Sequence, residues 1–200
     1  MRSIQTIAKD VGALFIIDES QVGCGRTGDF FSFEFADLSP DIIVLSDSLS
    51  GCGLPLSILL MKEENDLSRP DEYREALCGN DLALVSATAA INLYWRCRAF
   101  SQQVHRMSGR MRRRLTAIAA KYGNRCSVRG RGMMFGFDCQ NAEIAEIAVR
   151  KALQKGLIIE RCGSVQQVVK VFPALTIDSE TLDQGLSVFE ESLVEAMRYT

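Results

Sequence analysis

Two hundred residues bound the chain to one domain, or one and part of another. Hydrophobic residues make up 47% of it, enough for a real core, and a formal net charge of −2 argues against a nucleic-acid or anionic-membrane binder. No apolar run nears the roughly 18 residues of a membrane span, and "MRSIQTIAKDVG" lacks the apolar core of a signal peptide, so a cytoplasmic location is the expectation.

Residues 3–11 read as a short helix. The stretch "ALFIID", residues 13–18, is a continuous apolar run ending in an acid, which suits a strand buried on both faces of a mostly parallel sheet. "QVGCGRTGDFF" is a Gly-rich loop. "DIIVLSD" is a second apolar run ending in an acid, and "LSILLM" is a third strand. Residues 80–98 read as a helix with small residues, 86–90, on one side, and residues 99–121 as a second, basic helix. "SVRGRGMMFGFDC" reads as a strand entered through glycines. Residues 141–155 are helical, with Ile144, Ile147, Ala148, Ala152 and Leu153 on one face. "GLIIERC" and "VVKVFPALTI" follow as strands. The last helix holds Leu182, Leu186, Phe189, Leu193 and Met197 in register, with Asp178 as its N-cap. The change of character divides the chain into an α/β piece over residues 1–98 and a smaller α+β domain over residues 99–200. Three strands make a thin parallel sheet, so the first piece reads as the end of a larger domain.

The seven cysteines are odd in number and none has C-x-x-C spacing, which favours reduced, mostly buried thiols over a zinc site or a disulfide framework. His105, the single histidine, lies in a polar helical stretch and reads as a surface residue. With one histidine, Ser–His triads and His-rich metal sites fall away, and no metal is expected. Gly130, Gly132 and Gly136 lack the G-x-G-x-x-G spacing of a nucleotide fingerprint and lead into a strand. Arg106, Arg110, Arg112, Arg113 and Arg114 read as a solvated helix face or, less simply, a phosphate- or partner-binding patch. Asp18 and Asp47 each end an apolar run, where α/β sheets bind ligands. Two acids in one crevice suit general acid–base chemistry, but composition alone favours helix caps or solvated loop positions.

In "FIIDESQVGCGRTGDFFSFE", "PDIIVLS", "SLSGCGLPLS" and "FPALTIDSETLDQGL" the chain resembles the class III aminotransferases that use pyridoxal phosphate (PLP), of fold type I, and within them the diaminobutyrate–2-oxoglutarate type of the ectoine pathway. The resemblance runs over nearly the whole chain but corresponds to the C-terminal half of a family member. It implies the C-terminal part of the large domain over residues 1–98, followed by the small C-terminal α+β domain over residues 99–200.

Residue by residue, the resemblance implies that Asp18 pairs with the pyridine nitrogen of PLP and keeps it protonated, making the ring an electron sink. It implies that Gln21 lies near the ring hydroxyl. Lys170 falls where related enzymes carry a basic residue for a substrate carboxylate, although a surface strand lysine fits the same stretch. Asp47 stands where the family has the lysine that forms the Schiff base, and a carboxylate forms no imine. Ala76, in "EALCGN", stands where the "GTFRGN" of the family has a threonine that reaches the cofactor phosphate of the neighbouring subunit, and Cys78 replaces the arginine. The expectation is therefore a truncated, degenerate homologue with weakened PLP binding, not catalytic alone. It would act as a homodimer, or as a heterodimer with an aminotransferase-like chain. The alternatives are an active subunit of a split aminotransferase, or a PLP-independent enzyme using Asp47 as acid and base.

Overall fold

The computed structural model describes residues 1–51, 53–66 and 79–199, which fall into two units, 1–102 and 103–200. In the first, helix α1 (Arg2–Asp10) leads to strand β1 (Ile16–Asp18), followed by β2 (Ile42–Leu45), β3 (Ile58–Met61) and helix α2 (Asp81–Tyr94). The sheet order is β1–β2–β3. Strands β1 and β2 are parallel, with Asp18 opposite Val44; β3 runs antiparallel, with Ile58 opposite Leu45. The sheet is thus half parallel rather than mostly so. A parallel return needs a crossover of a dozen or more residues, usually helical, and the link 46–57 holds only a 3-10 turn, Asp47–Ser50, before Pro55.

The first apolar run is buried on one face, not two. Ile17 is 7% exposed, whereas Leu14 and Ile16 are each 53% exposed, because β1 has one strand neighbour and is covered on one side among the described residues. Asp41 fixes the start of this sheet. Its Oδ2 accepts from the Phe15 N–H at 2.9 Å and its Oδ1 from Lys62 Nζ at 2.7 Å. The Lys62 hydrogen bond, then that of Phe15, holds the Asp41 carboxyl below the usual carboxylate range. One core cluster of this unit joins Cys24, Leu45, Leu49 and Ala87, with Phe30, Phe31, Ile43, Leu56 and Ile58 packed against them, and Phe15 and Ile17, at the first strand, are buried too. Asn80 caps α2 by accepting from Leu82 N and Ala83 N. The helix buries only Ala83 and Ala87 and leaves Leu82, Leu84, Val85 and Leu93 exposed.

Helix α3 (Ala99–Ala120) carries the chain across the division and buries Val104, Met111, Leu115, Ile118 and Ala119. The second unit continues with β4 (Ser127–Arg131), β5 (Met134–Asp138), α4 (Ala142–Gln154), β6 (Glu160–Cys162), β7 (Val168–Val171) and α5 (Ser179–Ala196). Its sheet is fully antiparallel, in the order β4–β5–β7–β6. The stretch "SVRGRGMMFGFDC", expected as one strand, is a hairpin. Gly132, at φ 62°, makes its tight turn. At Gly130 a Cβ would stand 2.2 Å from the Met134 carbonyl oxygen, so only glycine fits. Phe135 and Phe137 point inward, and Phe137 meets Phe189 of α5 edge-on at 5.1 Å.

Helix α4 buries Ile144, Ile147, Ala148 and Ala152, but Leu153 is 60% exposed, since one further residue turns it about 100° off that stripe. Asp178 caps α5, accepting from Glu180 N at 2.9 Å and Thr181 N at 2.8 Å. The basic cluster on α3 is not simply solvated. Arg110 forks onto Asp183, Arg114 donates to Ser187 Oγ at 3.2 Å and pairs with Glu190 at 3.6 Å, and all three partners lie on α5. Arg112 donates to the Gly130 carbonyl at 2.7 Å and lies 5.0 Å over the Phe135 ring. His105 is exposed. Cys24, Cys126 and Cys139 are buried, Cys162 is half-buried and Cys97 is exposed; Cys52 and Cys78 lie outside the described residues.

Candidate functional site

Strand β1 ends on Asp18, and the parallel register carries β2 past it. Because Asp18 lies opposite Val44, position 47 follows three residues beyond Asp18's partner on the adjacent strand. Both acids therefore stand at the C-terminal ends of neighbouring parallel strands, where open α/β sheets form their ligand crevice. The Asp18 side chain is exposed. Its Oδ1 accepts from Ser20 Oγ at 2.6 Å and from the Ser20 N–H at 2.9 Å. These bonds, the hydroxyl's first, hold the carboxyl below the usual carboxylate range, so it is an anion at neutral pH. Gln21, the third residue after Asp18, is exposed in the turn that follows.

Position 47 opens the 3-10 turn Asp47–Ser50, which Gly51 ends in the left-handed conformation, φ 72°. The turn is tied down on two sides. Ser86 Oγ of α2 donates to the Ser50 carbonyl at 2.7 Å, and Leu54 N donates to Ser50 Oγ at 3.2 Å. Ser46 and Ser57 hydroxyls meet at 2.6 Å just before it. The backbone at position 47 is thus held by serines rather than by the sheet alone. Ala76 lies outside the described residues.

One buried acid beside the candidate site is not marked by any motif. Glu19, next to Asp18, is 1% exposed. Its Oε1 accepts from Ser32 Oγ at 2.5 Å, and Oε1 and Oε2 accept from the Ser32 N–H at 3.1 and 3.0 Å. Its backbone N–H donates to the Val44 carbonyl at 2.8 Å, and its carbonyl accepts from Gly23 N at 2.8 Å. At Gly23 a Cβ would lie 2.7 Å from the Glu19 carbonyl oxygen, so the loop's close approach depends on that glycine. Glu19 therefore clamps the Gly-rich loop over the strand ends. The signal was present: period-two alternation puts Phe15, Ile17 and Glu19 on one face, and the first two are core residues.

Lys170 is on β7 of the other unit, opposite Gly136 on β5 and Glu160 on β6, with Nζ 4.5 Å over the Phe172 ring. It lines an open, largely apolar cleft of about 560 Å³ with Leu157, Ile158, Phe172, Leu186 and Phe189. Within the first unit Asp18, Gln21 and position 47 all stand in turns that follow the two parallel strands, and Lys170 lies in the other unit. Among the described residues, no helix is long and apolar enough to cross a membrane, and no cluster of three or more His, Cys, Asp or Glu side chains is disposed to hold a metal ion.

Comparison with known sequences and structures shows the family of the chain. The model of the class-III aminotransferase family matches residues 1–193, and the chain belongs to that family. It is 48% identical over 198 residues to an uncharacterized aminotransferase of Sinorhizobium fredii, y4qG, covering 98% of this chain and 44% of that one. It is 44% identical over 199 residues to a diaminobutyrate–2-oxoglutarate transaminase of Bordetella parapertussis, covering 98% and 46%. Among solved structures it resembles an N-acetylornithine aminotransferase from Stenotrophomonas maltophilia, with a TM-score of 0.85 and 26% identity, covering all of this chain and 52% of that one. The fold is that of the fold-type-I aminotransferases, and the family depends on PLP. The chain spans about half the length of the curated relatives it matches.

Proposed function

We propose that this chain is an aminotransferase homologue of the diaminobutyrate–2-oxoglutarate type that has lost the covalent step and works joined to a further aminotransferase-like chain or segment. The observation that carries this reading is the residue at position 47. By resemblance it is the position of the Schiff-base lysine, and it stands at the strand end beside Asp18. The side chains of this chain fit PLP only in part. Asp18, kept anionic by Ser20, suits a pyridinium nitrogen. Aspartate at position 47 has no amine to condense with an aldehyde, and alanine at position 76 offers no hydroxyl to a phosphate. Covalent cofactor chemistry therefore does not belong to this chain as it stands.

The partner half of the proposal is supported by exposed apolar side chains concentrated in the first unit. Ile4, Ile7 and Val11 on and just after α1, and Leu82, Val85 and Leu93 on α2, are all more than half exposed. An apolar helix stripe, such as that of α1, or a helix apolar on most sides, such as α2, is normally covered. Class III aminotransferases are typically dimeric, which suits a homodimer or a heterodimer with an aminotransferase-like chain.

The test is direct. The purified chain is incubated with PLP, reduced with borohydride and peptide-mapped, and amino transfer from diaminobutyrate or glutamate to a keto acid is assayed in parallel. The expected result is no pyridoxyl adduct on the 42–61 peptide and no transfer above the protein-free rate. Transfer by the chain alone would refute the loss of catalysis. A second reading, an active subunit of a split enzyme, is favoured by the retained anionic Asp18. It is supported if activity appears on adding an aminotransferase-like partner chain and disappears in the Asp18→Asn variant. If that activity instead needs Asp47 and no PLP, position 47 acts as acid and base.

A further inference from the structure

We propose that Cys126 and Cys139 are a dithiol modification site: they form a reversible disulfide across the β4–β5 hairpin in exchange with low-molecular-weight disulfides. The hairpin register pairs Ser127 with Asp138, so Cys126 and Cys139 face each other one step beyond the last paired residues. The Cys139 N–H donates to the Gln167 carbonyl at 3.1 Å, towards β7 and away from Cys126. That makes 126 and 139 a non-hydrogen-bonded cross-strand pair, in which Cα atoms approach to about 4.5 Å and side chains come closest. This separation is within the roughly 4.4–6.8 Å that a disulfide spans.

Both thiols lie on the inward face of the sheet, at 6% and 2% exposure, and they are hydrogen-bonded to each other. That bond divides the labour. It holds the Cys126 thiol below its ordinary value, aided by Arg125, and together with burial it pushes the Cys139 thiol up. Cys126, the less buried thiol at 6% against 2%, is assigned as the attacking sulfur and Cys139 as the resolving one, and the two shifts run in the same sense. Cys126 also adjoins the exposed Arg125 and Ser127, so opening at this sheet end uncovers it first.

The Cys126 thiolate attacks one sulfur of a disulfide RSSR, forming Cys126–S–SR and expelling RS⁻. Cys139 then gives up its proton to the expelled thiolate and attacks the Cys126 sulfur, releasing the second RS⁻, which takes a proton from water. Two protein thiols are oxidised and one RSSR is reduced to two RSH. The product links β4 to β5, the strand that lies between β4 and β7.

The experiment equilibrates the Cys97→Ser protein, which lacks the one exposed thiol among the described residues, in glutathione buffers from fully reduced to fully oxidised. The samples are acid-quenched, alkylated and peptide-mapped without reductant. The expected result is a linked pair of peptides carrying Cys126 and Cys139, lighter by two hydrogens, restored to free thiols by dithiothreitol, with a Tm several degrees higher in the oxidised protein. The Cys139→Ala variant is expected to accumulate glutathione on Cys126 instead. Absence of the 126–139 link across the whole range, or linkage of either cysteine to a different one, overturns the proposal. The mapping of the parent protein decides this even if the variant fails to fold.

Discussion

The two units of this chain reach burial in opposite ways. Residues 103–200 fold a four-stranded antiparallel sheet with inward Phe135 and Phe137 against the apolar stripes of α4 and α5, and the largest wholly buried side chains are concentrated there. Residues 1–102 hold a three-stranded sheet whose core centres on Leu45 and Leu49, a first helix with no buried residue and a last helix that buries only two alanines. The unit that closes its own core carries no resemblance to the imine chemistry. The unit with the candidate site leaves its apolar faces open. The contrast teaches that the candidate site is built on the part of the chain whose packing is least self-sufficient.

Hydrogen exchange is the broadest way to break this comparison. Amides of β5 and α5 are expected to exchange only by global unfolding, and those of α1 and α2 by local opening, faster by orders of magnitude. Equal protection in both units would mean that the open faces of the first unit are covered in solution, and size measurement would then show an assembly. Next in size are two core truncations. Phe137→Ala should cost about 3–5 kcal/mol in urea denaturation, because its ring fills an enclosed site against Phe189. Leu45→Ala should fall near the low end of the Leu→Ala range, about 2 kcal/mol, because the thin sheet around it can relax. A reversed order would remove the asymmetry.

Glu19→Ala sharpens the comparison within the first unit. It removes the acceptor of the Ser32 N–H and hydroxyl, and a loss of about 1–3 kcal/mol is expected. Faster exchange should be confined to the loop between residues 20 and 34. The smallest effect belongs to the second unit. The Arg110 hydrogen bond depresses the Asp183 pKa, so this pair's contribution is present above the unfolded carboxylate value of about 3.9 and is lost as pH falls through the lower folded value. Asp183→Asn should therefore destabilise slightly at pH 7 and shrink in effect as the acid limb is entered, since solvent screens an exposed pair. An unchanged difference down to pH 2 would mean that the ion pair contributes nothing.

Much of the fold was legible in the order of residues. Apolar periodicity located α4 and α5, and Asp178 caps α5 as its sequence context suggests; the caps at Asn80 and Asn141 emerged with the structure. The hairpin at Gly132 was not legible, because "RGRGMMFGFD" has no polar turn dipeptide to interrupt the apolar pattern. The pairing of Arg110 and Arg114 with α5 was not legible either, since their partners lie about 70 residues away. At the candidate site, the types and order of Asp18, Gln21 and Asp47 could be read directly. The alternation of Phe15, Ile17 and Glu19 marks Glu19's face, but its partner Ser32, thirteen residues on, could not be read.

What the sequence alone determined is chemical: which side chain stands at each position, and hence that position 47 offers a carboxylate and no amine. It also determined the local conformations set by short-range sterics and capping, which act within a few residues. Only the tertiary structure decided the neighbours: Asp18 against Val44, Glu19 over Ser32, Cys126 facing Cys139, and an antiparallel third strand. These depend on strand register and on hydrogen bonds closed over tens of residues, and their energies exist only once distant segments share one interior.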